Sequence, residues 1–379
     1  MAMRIQGIHL TLLIGPGVPV PVPREVLDAL TSVQVTNAAG DTQSGFDLTF
    51  ALDRRSPLAT LFLVSGGASI PLVRVIVVVT INGTANVLID GVMTHHQMEP
   101  GTGGGPATLK VQGKDLSTVM GYIDFSGLPY PAMPPVARVA LIIAKYAWLG
   151  LIPLTIPSVV EDIPLPTDRI PVQQGKDLDY VKSLAQQCGY VFYIEPGPVP
   201  GASVAYWGPE IRVGPPQPAL SIDMDAHTNV DQLNFRYDKE RKELPVVFIQ
   251  ESISKAPIPI PIPDVTPLNP PLGAVPPLPP KVTLMNDTTH LSPLAALMRG
   301  IAYASQHSDC VFASGSLDVL RYGQVLKSRR LVGLRGAGLA FDGLYYVSRV
   351  THEIRRGHYK QSFELARNGV ISTLPQVPA

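Results

Sequence analysis

Histidines, carboxylates, serines and cysteines are the side chains with which this chain could do chemistry, and their spacing decides whether it does. His95 and His96 are adjacent. Neighbours on a strand point to opposite faces, so the two cannot close on one metal ion and read as a solvent-facing pair at a strand end. His352-Glu353 lacks the second histidine of a helical zinc motif and falls in a strand-like run. No Gly-x-Ser-x-Gly nucleophile elbow occurs; Ser65-Gly66-Gly67 and Ser314-Gly315-Ser316 come nearest and read as turns. Gly113-Lys114-Asp115-Leu116-Ser117 and Gly175-Lys176-Asp177-Leu178 each carry the Gly-Lys of a phosphate loop. An aspartate stands where Ser or Thr should bind magnesium, and it would repel phosphate, so both read as helix starts. Glu161-Asp162 and Asp223 with Asp225 are carboxylate pairs, but without a pocket such pairs are solvated loop charges. Two cysteines, Cys188 and Cys310, are too few for a disulfide framework or a four-thiolate metal site, and both sit in apolar runs that need packing. The expectation is a protein that is not an enzyme, with no catalytic, cofactor-binding or metal-ligating residues.

One concentration of charge remains. Arg349, Arg355, Arg356, His358 and Lys360 crowd around the tip of a final hairpin, predicted at Arg356-Gly357-His358. A solvated turn is the plain reading. The functional one is a charged lip against a neighbouring subunit, because exposed loop tips are where interfaces are commonly built. Arg355, Arg356, His358 and Lys360 are therefore the candidate interface residues.

At 379 residues, 45% hydrophobic and 16% charged, the chain is long enough for two or three domains with cores of their own. Lys plus Arg equals Asp plus Glu, at 30 each. A nucleic-acid groove or an anionic membrane surface as main partner would show as a basic excess, so no nucleic-acid specificity is expected. Neutrality with an apolar surplus fits a subunit that buries much of itself in an assembly. The apolar residues 8–14 run into Gly15, Pro16, Gly17, Pro19, Pro21 and Pro23, a poor signal-peptide core. The other apolar stretches are interrupted, by Arg74 in one and by Lys145 and Pro153 in another, so no membrane span is expected. Synthesis in the cytoplasm without a signal peptide follows as the expectation.

The elements that must position these residues are mostly strands. Residues 33–36, 45–52, 72–81 and 85–94 are β-rich, with Asn82-Gly83 as a hairpin signal and Phe46, Leu48 and Phe50 alternating with polar neighbours. A helix is predicted over 135–151, with Val139, Ile142, Ile143, Tyr146 and Ala147 on one side. A second has Asp177 as its cap, Leu178, Val181, Leu184, Ala185 and Cys188 as its apolar face and Gly189 as its stop; residues 190–194 follow as a strand. Residues 204–207 and 211–213 read as strands returning to the first β unit, and 230–236 and 246–252 as the start of a second. Residues 256–280 hold 11 prolines in 25 positions, which predicts an extended spacer, since proline cannot donate to a sheet. Ser292 is expected to cap a helix with Pro293 at its first position and Leu294, Leu297, Met298 and Ile301 as its apolar face. Strands are expected at 311–317, 324–331, 343–355 and 359–367.

The helix with Leu178, Tyr180, Val181, Leu184 and Ala185, followed by Cys188-Gly189-Tyr190 and an aromatic strand, resembles the signature of phage late control gene D proteins. These are tail baseplate hub proteins, related to the N-terminal part of type VI secretion spike proteins and to hubs of extracellular contractile injection systems. Gly45-Phe46-Asp47-Leu48-Thr49-Phe50 followed by Asp53-Arg54, the run Leu88 to Thr94, the Gly-x-Asp-Leu turn at Gly113, and the last two strands resemble further landmarks in the same order.

The resemblance implies a mainly β fold with an α+β insertion: two tail-tube-like β-barrel domains plus a small helix-containing middle domain. Residues 1–118 would form the first barrel, completed by about 204–228; residues 119–203 the inserted α+β domain; residues 229–379 the second barrel with the Pro-rich insertion 256–280. It further implies a homotrimeric hub that adapts a hexameric tail tube to a trimeric spike, incorporated into the baseplate of a phage tail or injection particle. Its partners would be inner tail-tube subunits, baseplate wedge proteins and a spike, expected on a separate chain because Ala379 follows the last strand closely. No cofactor is implied. The alternative is a β-rich phage-associated hydrolase or glycan-binding protein.

Overall fold

The computed structural model describes residues 7–40, 42–52, 72–101, 107–158, 167, 170–250, 256–263, 266–285, 293–375 and 377. Asp53-Arg54, the Ser65 context, Glu161-Asp162 and Ser292 lie outside them. Among the described residues seven strands make the first stretch: β1 (Ile8–Pro16), β2 (Val20–Pro21), β3 (Leu30–Ala38), β4 (Gly45–Leu52), β5 (Val73–Ile81), β6 (Thr84–Glu99) and β7 (Ala107–Asp115), with a short helix α1 (Arg24–Ala29) after β2. Alternation does what it should in β4, where Phe46, Leu48 and Phe50 are buried and Asp47 is exposed. The β5–β6 hairpin turns at Asn82 and Gly83, both at positive φ, as a tight primed turn requires. Residues 8–14, weighed above only as a leader, form β1 and pair with β5 from Ile8↔Ile81 to Pro16↔Val73.

The chain then builds a smaller unit from α2 (Pro135–Ala144), β8 (Leu151–Thr155), α3 (Asp177–Cys188), β9 (Val191–Pro196) and β10 (Ser203–Gly208). Its sheet has the order β8–β10–β9, and Val139, Ile142, Ile143, Val181, Leu184 and Trp207 fill its core. Residues 204–207 therefore belong to this sheet rather than returning to the first β unit, and 211–213 are not a strand. Ala147, expected on the buried side of the first helix, is exposed, because α2 ends at Ala144 and a 3-10 turn (Ala147–Leu149) redirects the chain. The helix stop at Gly189 is in the left-handed conformation.

The remaining strands are β11 (Gln217–Ser221), β12 (Val230–Tyr237), β13 (Glu243–Gln250), β14 (Pro257–Pro261), β15 (Gly273–Val275), β16 (Lys281–Met285), β17 (Val311–Asp318), β18 (Leu331–Arg335), β19 (Gly343–Arg355), β20 (His358–Arg367) and β21 (Val370–Ser372), with helices α4 (Pro293–Gln306) and α5 (Val319–Tyr322). Residues 324–330, expected as a strand, form a loop that ends at β18. β11 pairs with β18 in this half of the chain, not with the first seven strands. β13 likewise leaves the large sheet and joins β14 and β16 under α4. Leu294, expected on the apolar face of α4, is 45% exposed, while Ala296, Gly300 and Ala304 face inward with Leu297 and Ile301. Small residues win that face because a Cβ on Gly300 would come within 2.8 Å of Ile262 and Val247.

The proline-rich run is not a mere spacer. Pro257, Pro259 and Pro261 alternate with Ile258 and Ile260, and the register Val247↔Ile260 and Ile249↔Ile258 sets the isoleucines against β13. Ile262 continues the pattern by donating its N–H to Pro245 at 3.0 Å. Proline at every second position matches the two-residue period of a strand, so each missing N–H falls on the open edge.

The fold is mainly β, and its two β-rich halves are one structure. Among the described residues a single 13-stranded sheet runs β12–β17–β20–β19–β3–β4–β7–β6–β5–β1–β2, with β18 and β11 branching from β19. The seam is β3 against β19, from Arg349↔Ala38 to Arg355↔Ser32. One apolar core holds Val35, Phe50 and Val77 together with Tyr345, Val350 and Phe363.

Candidate interaction site

β19 and β20 meet at the predicted tip, with Gly357 at φ 72°. Arg355, Arg356 and His358 line a cleft of about 340 Å³ whose floor is Ile8, Leu10, Leu27, Leu30, Val33 and Ile354. Lys360 is not in it; it pairs with Asp231 at 2.9 Å, beside an Arg321–Asp231 pair at 3.0 Å. Arg355 pairs with Glu353 at 2.6 Å, and Arg356 donates to the Asp28 carbonyl. The structure thus brings three of the four predicted residues together and spends much of their charge within the chain.

Below the tip lies a residue whose role the spacing rules did not reveal. His352 is 1% exposed. Its Nδ1 sits 2.8 Å from the Tyr359 hydroxyl and 3.3 Å from the Gln361 side-chain nitrogen, which also donates to Leu326 O at 2.8 Å. Burial lowers its pKa from 6.5 to about 3, so the ring stays neutral and accepts hydrogen bonds rather than carrying charge. His95 and His96 are exposed on β6, and Asp223 and Asp225 are exposed at positive φ. Asp177 is not a cap. Lys176 holds that position, and the Asp177 carboxylate accepts from Lys145 (3.0 Å to each oxygen), Tyr146 (2.8 Å) and Gln173 (2.7 Å) in the buried middle unit. Both cysteines are buried, and neither is in a disulfide. Among the described residues no group of three or more His, Cys, Asp or Glu is placed to hold a metal ion.

A second surface, not foreseen from sequence, lies on the outer face of the sheet at its β12 end. Strand register aligns Arg236–Phe312–Ala366–Tyr346 in one row and Asn234–Ser314–Glu364–Arg349–Ala38 in the next. Arg236 and Arg241 both lie against the Phe312 ring, 5.2 and 4.8 Å from its centre. Arg212 lies 4.7 Å from the centre of Tyr346 and is gripped by Asp309 at 2.7 and 2.8 Å. Burial opposes the charge on Arg212, but Asp309 and Glu210 outweigh it and its pKa is pushed up. These groups line a bowl of about 660 Å³. Arg349 pairs with Glu364 at 3.3 Å, whereas Arg236 and Arg241 have no carboxylate partner among the described residues. The sequence hides this site because Phe312 reaches Arg236 only through the β12–β17 register.

No family model matches the sequence, and no curated protein matches it either. Solved structures do. A tail protein from Neisseria meningitidis superposes with a TM-score of 0.62 at 13% identity, covering 96% of this chain and 98% of that one. The 43 kDa tail protein of prophage MuSo2 from Shewanella oneidensis gives 0.61 at 14% identity, covering 96% and 99%. An E. coli component of the type VI secretion system, described as similar in structure to T4 bacteriophage tail proteins, gives 0.54 at 12% identity, covering 92% and 76%. The chain has the fold of these tail proteins over nearly its whole length.

Proposed function

We propose that this chain is the baseplate hub of a contractile injection machine, a homotrimer that joins the hexameric tail tube to the trimeric spike. The observation that carries the reading is the end-to-end match to tail proteins, in which the tube-like regions, residues 1–118 and 229–379, are read as two units flanking the small α+β unit. Two similar units in each of three chains would present six positions towards the tube and three towards the spike. The work is templating and mechanical: the ring nucleates tube growth, holds the spike and leaves with both when the sheath contracts. Inner tube subunits and wedge proteins are the other neighbours.

Seeding tests it. Added to purified tube subunits of the same particle, the protein is expected to shorten the lag of polymerisation and to sit at one end of each tube in electron micrographs. An unchanged lag, with tubes that lack it, contradicts the reading. Release of fragments from peptidoglycan by the pure protein would favour a hydrolase instead.

A further inference from the structure

We propose that the arginine bowl at the β12 end of the sheet is a docking site for an acidic polypeptide segment of another protein, whose carboxylates are taken by Arg236 and Arg241. Both guanidinium groups rest against one aromatic ring, Phe312. Neither group donates a hydrogen bond within the chain among the described residues, so the N–H groups of both are available to an anion. Neither has a carboxylate partner among the described residues, in contrast to Arg212, Arg349 and Arg355. Ala366 lies between Phe312 and Tyr346 in the cross-strand row, and its small side chain leaves the depression between the two arginine-covered rings.

Charge complementarity selects the occupant. Glu210 and Glu364 share the lining with the arginines. A polyanion such as nucleic acid would meet both carboxylates, and a nucleic-acid surface would carry a basic excess that a chain with 30 cations and 30 anions lacks. A polypeptide with spaced acidic residues avoids that clash, and Asn234, Ser314 and Ser348 in the lining offer hydrogen bonds to its backbone. About 660 Å³ is room for several residues rather than one ion. Among the described residues β12 is also the terminal strand of the large sheet, so the bowl opens at an edge. None of this depends on the hub reading.

The test is fluorescence anisotropy with a labelled peptide of Glu, Ala and Ser, its Gln-for-Glu counterpart, and labelled oligothymidylate of equal length. The Glu peptide is expected to bind saturably, to weaken about tenfold or more in the Arg236→Gln/Arg241→Gln variant, and to weaken as salt rises from about 50 to about 300 mM. Both side chains are exposed, so the thermal unfolding of the variant is expected to match the parent. Arg241→Gln alone, in the turn after β12, serves if the double variant unfolds. Equal binding by the Gln peptide, indifference to the substitutions, or no binding at all overturns the proposal. Tighter binding of the oligonucleotide overturns it in favour of nucleic acid.

Discussion

His352 shows how one residue reports on its surroundings. Its folded-state pKa, about 3, lies below the ordinary histidine value of 6.5. Between these values the unfolded chain binds a proton that the folded chain refuses, so the contribution of this residue is fully present above pH 6.5 and is lost as pH falls towards 3. Relative to a His352→Gln variant, the parent is expected to lose about 3 kcal/mol between pH 7 and pH 4, read from urea midpoints at each pH. Parallel pH profiles for the two proteins would contradict this. Gly113 makes a steric case at the same scale. A Cβ there would lie 2.2 Å from Phe46 and 2.4 Å from the Val92 carbonyl oxygen, so Gly113→Ala is expected to destabilise by about 1–3 kcal/mol, seen as a lower Tm.

Among the elements, β14 is the one whose sequence argues against its structure until register is considered. Proline interrupts a ladder only where an N–H is needed, and in β14 the prolines occupy positions that face away from β13. Ile260→Pro is therefore expected to cost about 3 kcal/mol by removing a paired N–H. Pro259→Thr should leave Tm nearly unchanged while exposing a new edge donor, and light scattering is expected to detect association at lower concentration. Equal effects of the two substitutions would contradict the register. The junction between the first β unit and the α+β unit is an electrostatic element of similar weight. Arg74 on β5 donates to both oxygens of Asp90 on β6, at 2.7 and 2.6 Å, and to Gly201 O at 3.2 Å, while Ser203 at the start of β10 donates to Asp90 at 3.1 Å. Asp90→Asn strands a buried guanidinium, with an expected loss of about 3–5 kcal/mol in urea unfolding.

At the scale of the whole molecule, local signals were readable and long-range pairing was not. Asn82-Gly83 and Gly357 mark their hairpins because positive φ restricts residue choice. The aromatic and β-branched run of residues 190–194 marks a strand but not its neighbours, and the same holds for 204–207, assigned above to the wrong sheet. The Arg355 tip was visible as clustered charge, and Glu353 stands two residues away on the same strand, but the lean of Arg356 onto Asp28 depends on a partner that only the fold brings near. The Arg236–Phe312–Arg241 surface needs one strand register, and no spacing rule encodes that. The continuous sheet through the β3–β19 seam is the least legible feature, because it joins residues more than 300 positions apart.

That seam makes each chain a single block, and the central claim is that three such blocks form a ring. Light scattering of the purified protein over a range of concentrations tests it most directly. The account predicts a particle three times the 40.7 kDa of one chain. A stable dimer, or a monomer that persists at high concentration even with a spike partner added, would contradict it.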